Sequence, residues 1–325
     1  MIKTLNLSRK RIVYIEPTSP FNFEGTFFKP SHFPSKLVYF SRGKLYQGIK
    51  LQNKFFGLVL SDSSIGNRPK IKVEIYSKSL ITEKNLYSLK SELIERYNLD
   101  GNVSEFVKIY RRDRFLAGPI KRWGGTRPSS AYSLYGFLMV ATVLQNATVR
   151  RSVQMLDNLL KEFGTKLKFA SQELYVPWEP EDLQNVTEER LRELKVGYRA
   201  KNIKRITSDF VSGIVDEEKL RKLSNGEEVK SSLLQLYGVG PQSVSYILFE
   251  VFHFYGLLDQ LSPWEGKIIS QLLYGRKTVS INKILNAVDK RWGQWKALAI
   301  HYLFEDIFWQ RKRKTIQWLE DEIRM

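Results

Sequence analysis

A chain of 325 residues, of which 42% are hydrophobic, is long enough to bury a substantial core and predicts two domains. Lysine and arginine total 52 against 34 aspartates and glutamates, and the net charge of +18 favours a phosphate-rich partner, with a surface charged for solubility as the alternative. Because the chain has no cysteine, disulfides, thiol nucleophiles, zinc–cysteine sites and cysteine-bound iron–sulfur clusters are excluded.

The three histidines and the N-terminal residues further restrict the chemistry and the location that we expect for this protein. His32, His253 and His301 are too scattered to have metal-ligand spacing, so we interpret them as structural or surface residues. Chemistry must then depend on carboxylates, amines or hydroxyls. The first residues lack an apolar signal core, and no apolar run approaches the ~18 residues that span a bilayer. We therefore expect an intracellular protein with no membrane partner.

Short segments rich in β-branched and aromatic residues dominate the chain from about residue 10 to 78. Gly43 and Asn53 indicate tight turns between them. An amphipathic helix is predicted from about Thr82 to Tyr97, with leucines at 86, 89 and 93. The first domain, residues 1–100, is therefore predicted to be α+β with an antiparallel sheet. Its predicted strands are Lys36–Phe40, Lys44–Leu51, Phe55–Leu60 and Lys70–Tyr76.

Helical periodicity begins near residue 100 and is interrupted by glycine and proline. Apolar residues dominate the segment Leu134–Leu144 and predict a buried helix, whereas Val149–Phe163 has the mixed face of a partly exposed one. The second domain, residues 101–325, is therefore predicted to be nearly all helix.

The segment from Leu233 to Ile247 carries the strongest functional signal. Two apolar helical stretches flank Gly238-Val239-Gly240, and the second begins with Pro241 in its first turn. This pattern predicts a hairpin between helices at about residues 231–250. Glycines allow a phosphate to approach the backbone, and the amides at the start of the second helix form an anion site. The alternative is an ordinary corner between two packed helices.

This hairpin resembles that of the helix-hairpin-helix base-excision DNA glycosylases, the superfamily that includes 3-methyladenine and 8-oxoguanine DNA glycosylases. Three further segments have counterparts in the same order: Val143–Val149 with Leu156–Gly164, Leu194–Lys201, and Arg291–Trp295 continuing to Phe304. The likeness covers about residues 120 to 310. It implies a TATA-binding-protein-like antiparallel sheet domain followed by a mainly α helix-hairpin-helix core.

The resemblance also implies a monomer that acts on damaged double-stranded DNA in the cytoplasm or nucleoid. Asn146 takes the position of a polar residue that fills the gap left by a flipped base, and Lys267 is either a phosphate contact or a solvated surface group. The predicted DNA-binding residues are Gly238, Gly240, Gln242, Ser243, Asn146, Arg199 and Lys267.

The catalytic acid of the family is an aspartate at the start of the helix after the hairpin. Here the matching position holds Glu265, a departure that keeps the charge but adds a methylene. Cleavage of a glycosidic bond builds positive charge on the sugar, which a carboxylate stabilises while it orients water. Asp259 is the alternative acid, and a helix-capping role is the alternative for Glu265.

A flipped base needs aromatic or hydrogen-bonding partners, and electron-poor alkylated purines favour aromatic faces. Tyr246, Phe304 and Trp264 are the predicted base pocket, with ordinary core packing as the alternative. No organic cofactor is expected. By family likeness, the backbone carbonyls of Leu234, Leu236 and Val239 hold a monovalent cation, K⁺ or Na⁺.

Three functions follow from these residues. The first is a monofunctional glycosylase for damaged purines, since Gln242 replaces the lysine that some members use for Schiff-base strand cleavage. Alkylated adenine is favoured and 8-oxoguanine is next. The second is a catalytically weakened, lesion-sensing paralogue, and the third is a DNA-binding protein that uses the hairpin only as a backbone clamp.

Overall fold

The computed structural model describes residues 3–276 and 278–323. In chain order, the strands are β1 (Lys3–Asn6), β2 (Arg9–Ile15), β3 (Val38–Ser41), β4 (Lys44–Leu51), β5 (Lys54–Asp62), β6 (Ile71–Ser77), β7 (Thr165–Phe169) and β8 (Gln172–Val176).

Helices occupy most of the remaining chain, and a short 3-10 turn lies at Gly293–Trp295. In chain order, the helices are α1 (Phe23–Phe27), α2 (Glu83–Arg96), α3 (Ser104–Tyr110), α4 (Ala117–Trp123), α5 (Leu134–Leu144), α6 (Val149–Phe163), α7 (Pro180–Leu183), α8 (Glu188–Glu193), α9 (Arg199–Val211), α10 (Glu217–Arg221), α11 (Gly226–Leu234), α12 (Pro241–Glu250), α13 (Pro263–Tyr274), α14 (Ile281–Trp292), α15 (Lys296–Arg313) and α16 (Gln317–Glu320).

The chain forms two compact units, each assembled from separate stretches. The sheet unit contains the residues up to Ser19, Phe33–Gly101 and Ser130–Glu217. The helical unit contains Pro20–His32, Asn102–Ser129 and the residues from Glu218 onward. Both units draw on both sides of residue 100, so they divide the chain differently from the predicted domain boundary, which stays a prediction.

The main sheet of the sheet unit is antiparallel, with strand order β2-β6-β5-β4-β3. Strand β6 alternates buried and partly accessible residues, because successive side chains point to opposite faces, whereas Phe56–Leu60 of β5 is buried on both faces. Leu51 pairs with Lys54, and both residues between them, Gln52 and Asn53, have positive φ, which confirms the predicted turn. An N-terminal antiparallel sheet preceding a helical core is thus confirmed, and its TATA-binding-protein-like topology stays a prediction.

A second sheet shows that the prediction of a nearly all-helical region after residue 100 was wrong. Strands β7 and β8 form an antiparallel hairpin, and β1 adds to β7 in parallel. The hairpin turn is Ala170-Ser171, with φ of 46° and 60°. Because such turns are usually marked by asparagine or glycine, the sequence contains no local signal for this one.

The two helices predicted at 134–144 and 149–163 are confirmed with those bounds. Ser133 caps α5 by accepting from the Gly136 amide, and Thr148 caps α6 by accepting from the Arg151 amide. Between them, Asn146 has a φ of 47°, so the chain reverses in a sharp turn.

The helical unit is organised around α15, of which Leu298 and Tyr302 are almost fully buried. The Tyr302 hydroxyl donates to the Thr126 carbonyl at 3.0 Å and accepts from the Gly125 amide at 3.1 Å. These bonds join α15 to the loop after α4. In the described part of the chain, no helix combines the length and apolarity needed to cross a membrane.

Candidate active site

The predicted hairpin joins α11 to α12 in the helical unit. Leu236 and Val239 are buried at its base, while Tyr237 and Gly238 are exposed at its tip. Gly238 has a φ of 76°, which is strained for a residue with a Cβ. The second helix begins at Pro241 as the sequence predicts, with Gly240 as its N-cap.

Gly240 leaves the start of α12 open. A glycine N-cap has no side chain to accept from the first amides of the helix, so they remain available to an anion. Gln242 is exposed and Ser243 half-buried in this first turn. A Cβ at position 240 would meet no protein atom within 4 Å, and φ there is −97°, so neither crowding nor backbone strain inside the protein requires glycine.

The candidate acid Glu265 lies in the first turn of α13. Its Oε2 accepts from the Ser262 amide at 2.8 Å and from the Ser262 hydroxyl at 2.6 Å. The Ser262 hydroxyl oxygen in turn accepts from the Glu265 amide at 3.3 Å, which completes a capping box. The capping role is therefore present, and it fixes the position of this half-buried carboxylate.

Tyr246 of α12 lies beside Glu265. The residue is 37% exposed, while its hydroxyl lies among Glu265, Gln242 and Ser262. Burial, followed by the nearby Glu265 charge, raises the pKa of the Tyr246 hydroxyl well above its usual value. The phenol therefore stays neutral at ordinary pH, next to a carboxylate and an exposed aromatic face.

The other predicted pocket aromatics also come together. Trp264 and Phe304 meet edge to face with ring centroids 5.3 Å apart, although they are distant in sequence. Phe304 also contacts Phe308 at 5.0 Å and packs against the core, whereas Trp264 is 40% exposed. Phe304 thus packs partly against the core and Trp264 keeps an accessible face, and their role in a base pocket stays a prediction.

The alternative acid and the predicted lysine both have salt-bridge partners. Asp259 accepts from the Lys230 ammonium at 2.5 Å and is 45% exposed in its side chain. Lys267 pairs with Glu322 at 3.0 Å. The structure thus brings Glu265, and not Asp259, next to Tyr246.

The two predicted DNA contacts in the sheet unit are neighbours. Asn146 is exposed at the turn before α6, and its amide nitrogen lies 3.3 Å from the Tyr198 hydroxyl. Arg199 is buried, donates to the Gln145 carbonyl and lies 4.7 Å from the Tyr198 ring. In this geometry Arg199 holds the turn that presents Asn146.

The carbonyls predicted to hold a cation lie in and before the hairpin turn. The Leu236 carbonyl accepts from the Val239 amide at 3.1 Å, which leaves a second lone pair for an ion. Within residues 3–276 and 278–323, no cluster of three or more histidine, aspartate or glutamate side chains could hold a metal. The carbonyl site stays a prediction.

Two residues near the site were missed from the sequence. Ser262 positions Glu265, and the spacing of serine and glutamate three residues apart before an apolar run is the signature of a capping box. Tyr198, which lies in the segment Leu194–Lys201 that resembles the family, is half-exposed beside Asn146, a contact that the sequence did not predict.

Solved structures with this fold include DNA glycosylases of two kinds. A 3-methyladenine DNA-glycosylase from Archaeoglobus fulgidus is similar with a TM-score of 0.74 and 19% identity, over 94% of this chain and 100% of that one. An 8-oxoguanine glycosylase/lyase from Clostridium acetobutylicum in its apo-form has a TM-score of 0.67 and 20% identity, over 93% and 99%. The same enzyme in complex with double-stranded DNA containing cytosine opposite 8-oxoG has a TM-score of 0.60 and 20% identity, over 86% and 99%.

No family model and no curated protein matches the sequence of this chain. The structural likeness nevertheless extends over nearly the whole chain. The chain therefore has the fold of the 3-methyladenine and 8-oxoguanine DNA glycosylases.

Proposed function

We propose that this protein is a DNA glycosylase that binds damaged double-stranded DNA, takes a flipped purine into a pocket and hydrolyses its N-glycosidic bond. The observation that carries the proposal is the position of the Glu265 carboxylate beside Tyr246. Tyr246 lies on α12, the helix that begins at the Gly240 N-cap. A carboxylate, an exposed aromatic face and an open helix N-terminus are thus combined within one unit.

Glu265 would supply the chemistry. As the bond between C1′ and the base nitrogen breaks, the electron pair leaves with the base and positive charge develops on the sugar. The carboxylate would stabilise that charge and orient the water that attacks C1′. One carboxylate oxygen is held by Ser262, so the side chain is already fixed when substrate arrives.

The hairpin would hold the DNA backbone. The free amides of α12 suit a phosphate, and the carbonyls of Leu234, Leu236 and Val239 would hold a K⁺ or Na⁺ ion that adds positive charge there. Gly238, Gln242 and Ser243 would complete this contact, which reads no bases. Asn146 would fill the gap left by the flipped nucleotide, and the net charge of +18 would strengthen binding at low salt.

The proposed substrate is alkylated adenine, with 8-oxoguanine next. Tyr246 and Trp264 offer accessible rings to an electron-poor base, which favours alkylated purines. The resemblance of Asn146 and Gly197-Tyr198 to family segments favours the 8-oxoguanine type instead. Gln242 cannot form a Schiff base, so cleavage would release the base without nicking the strand. We propose that the protein acts as a monomer.

Single-turnover excision tests the proposal. The substrates are duplexes that carry a 3-methyladenine analogue, 1,N6-ethenoadenine, hypoxanthine, 8-oxoguanine or uracil, with alkali treatment to reveal abasic sites. Glu265→Gln is expected to slow release by about a thousandfold while the fold is retained, since glutamine also completes a capping box. Asp259→Asn is the matched control and should cut at the wild-type rate.

A lesion-sensing protein without activity is the second candidate. It is favoured by one observation, the engagement of Glu265 Oε2 in the capping box, which removes part of the carboxylate from chemistry. If the wild-type protein binds lesion duplexes more tightly than undamaged DNA but releases none of the bases, this second function replaces the first.

A further inference from the structure

One face of the main sheet is covered only in part. Its other face is the core, where Leu45, Leu58 and Ile75 are fully buried. On the first face, the β7–β8 hairpin packs close because two positions are glycine: a Cβ at Gly57 would lie 2.3 Å from Phe169 of β7, and one at Gly48 would lie 2.6 Å from Val176 of β8. The hairpin therefore covers the strands near these glycines, together with Val59 in the next row, which is buried, and leaves the remainder of the next two rows accessible.

The strand register defines the open part, which we name the tyrosine band. Its two rows cross all strands from β2 to β3, a width of about 19 Å at the usual strand spacing. The first row is Ile12, Glu74, Val59, Tyr46 and Tyr39, and the second is Tyr14, Lys72, Ser61, Lys44 and Ser41.

Exposed apolar surface lies at both ends of the tyrosine band. Ile12 and Tyr14 on β2 are 44% and 46% exposed, and Tyr39 on β3 is 44% exposed. The Tyr39 ring lies 5.9 Å from that of Tyr46, the partly buried residue opposite it. Aromatic rings that lie on adjacent rows of a sheet offer flat faces to planar ligands.

The tyrosine band is also basic. Lys44 and Lys72 lie within it and Lys10 flanks it, while Arg42 lies in the β3–β4 turn and the Lys70 ammonium lies 4.8 Å from the Tyr14 ring. Positive charge and accessible rings thus occur on one surface.

The carboxylates that pair with these lysines do not cancel the charge. Glu74 is shared between Lys10 at 2.5 Å and Lys72 at 2.9 Å, and Glu16 lies 3.8 Å from Lys70. Although partial burial opposes it, hydrogen bonds from Lys10 and Lys72 lower the pKa of Glu74 to about 2. Five cations against two carboxylates leave the surface complementary to a polyanion.

We propose that the tyrosine band is a second nucleic-acid site, which binds a single-stranded polynucleotide. Bases would stack on Tyr14 and Tyr39, and the lysines between them would contact the phosphates. A duplex keeps its bases stacked inside, so it cannot offer faces to these rings. Single-stranded binding here is therefore separate from the proposed grip of the hairpin on double-stranded DNA.

Fluorescence anisotropy at low salt tests the site with labelled oligothymidylate and oligouridylate of about 12 nucleotides, and with a duplex of the same length. Tyr14→Ala with Tyr39→Ala is expected to weaken binding of the single strands by about tenfold or more. The corresponding double change to phenylalanine should retain the affinity, because a phenyl ring still stacks. If the double alanine variant loses affinity for both oligothymidylate and oligouridylate, the site binds single-stranded DNA and RNA alike. If it loses affinity for oligothymidylate alone, the site is assigned to DNA.

Two control variants make the test specific. Tyr87→Ala removes a tyrosine that is 78% exposed on α2, and Lys84→Gln removes an exposed lysine from the same helix for comparison with Lys72→Gln. The α2 variants should bind single strands like the wild type. An unchanged affinity in the double alanine variant, an equal loss in Tyr87→Ala, or a wild type that does not bind single strands would each overturn the proposal.

The result is independent of the proposed enzyme activity. Glu265→Gln should bind oligothymidylate normally, and the double alanine variant should bind the duplex and excise bases like the wild type. If excision fails in every protein, only the glycosylase proposal is lost; if duplex and single-strand binding fall together in the alanine variant, only the second site is lost.

Discussion

The two units place their charges differently. The helical unit buries ionisable groups: the Lys29 ammonium donates to Glu250 at 2.8 Å and to the Ser129 carbonyl at 3.0 Å, and both charged residues are more than nine-tenths buried. In the sheet unit, the Lys10–Glu74 pair lies nearer the surface, with side-chain exposures of 41% and 15%. Buried pairs hold segments together and are sensitive to change, whereas surface charges remain available to a partner.

The largest expected difference in stability between the units concerns these ion pairs. Glu250→Gln leaves a buried ammonium without its charged partner and should reduce the free energy of unfolding by about 3–5 kcal/mol. Glu74→Gln, the matched change on the sheet, should cost less, because the Lys10 and Lys72 side chains are 41% and 33% exposed and water can solvate them when the carboxylate is removed. Urea denaturation at neutral pH measures both. Equal losses of unfolding free energy in the two variants would show that the buried pair of the helical unit is no more sensitive to change than the pair on the sheet.

The pH dependence of stability provides a second test of the buried charges in the helical unit. Burial, opposed by the Ser31 hydrogen bond and the Lys29 charge, raises the pKa of Glu305 to about 7. The folded state then holds a proton that the unfolded chain releases near pH 4.5, so this group lowers stability as pH rises from about 4.5 to 7. Glu305→Gln should remove this loss and gain up to about 3 kcal/mol over the wild type at pH 8.

The comparison between variants is needed because other groups titrate in the opposite sense. Burial lowers the pKa of His253 to about 3, so this imidazole adds stability as pH rises towards 6.5. His253 is present in the wild type and in Glu305→Gln, so its contribution cancels in the difference. A difference that stays constant between pH 4 and pH 8 would contradict the assignment to Glu305.

A substitution in the hairpin is expected to have the smallest effect on stability but a selective effect on DNA binding. Gly240→Ala fits the backbone and the space inside the protein, so its stability should change by about 0.5 kcal/mol or less. The new methyl group would block a phosphate at the start of α12, and duplex affinity should fall about tenfold. Calorimetry and anisotropy measure the two quantities, with Ser245→Ala on the same helix as control. Wild-type duplex affinity would exclude a backbone grip here.

Local elements were predictable from the residues themselves. The strand 44–51 and the helices 134–144 and 149–163 have the predicted bounds, because periodicity and capping residues such as Thr148 act within a few positions. The strand predicted at Lys36–Phe40 is shifted to Val38–Ser41, since Pro34 and Ser35 provide only a weak boundary. Pro241 predicted the start of α12 because proline suits the first turn of a helix.

The candidate site was predictable only as a set of residue types. The sequence placed an acid at 265 and aromatics at 246, 264 and 304, but not which of them meet. Whether Glu265 or Asp259 lies beside Tyr246 depends on how α12 and α13 pack, and Asp259 instead pairs with Lys230. Contacts between residues brought together by packing have no local signal.

By itself, the sequence determined the basic character of the protein, its sheet followed by helices, and the glycine hairpin, because charge, periodicity and turn chemistry are local properties. Only the tertiary structure decided the β7–β8 hairpin with its Ala170-Ser171 turn, the pairing of Lys29 with Glu250 across 221 positions, and the open tyrosine band. Each depends on which surfaces come together and which remain uncovered, and that is set by the burial of the whole chain.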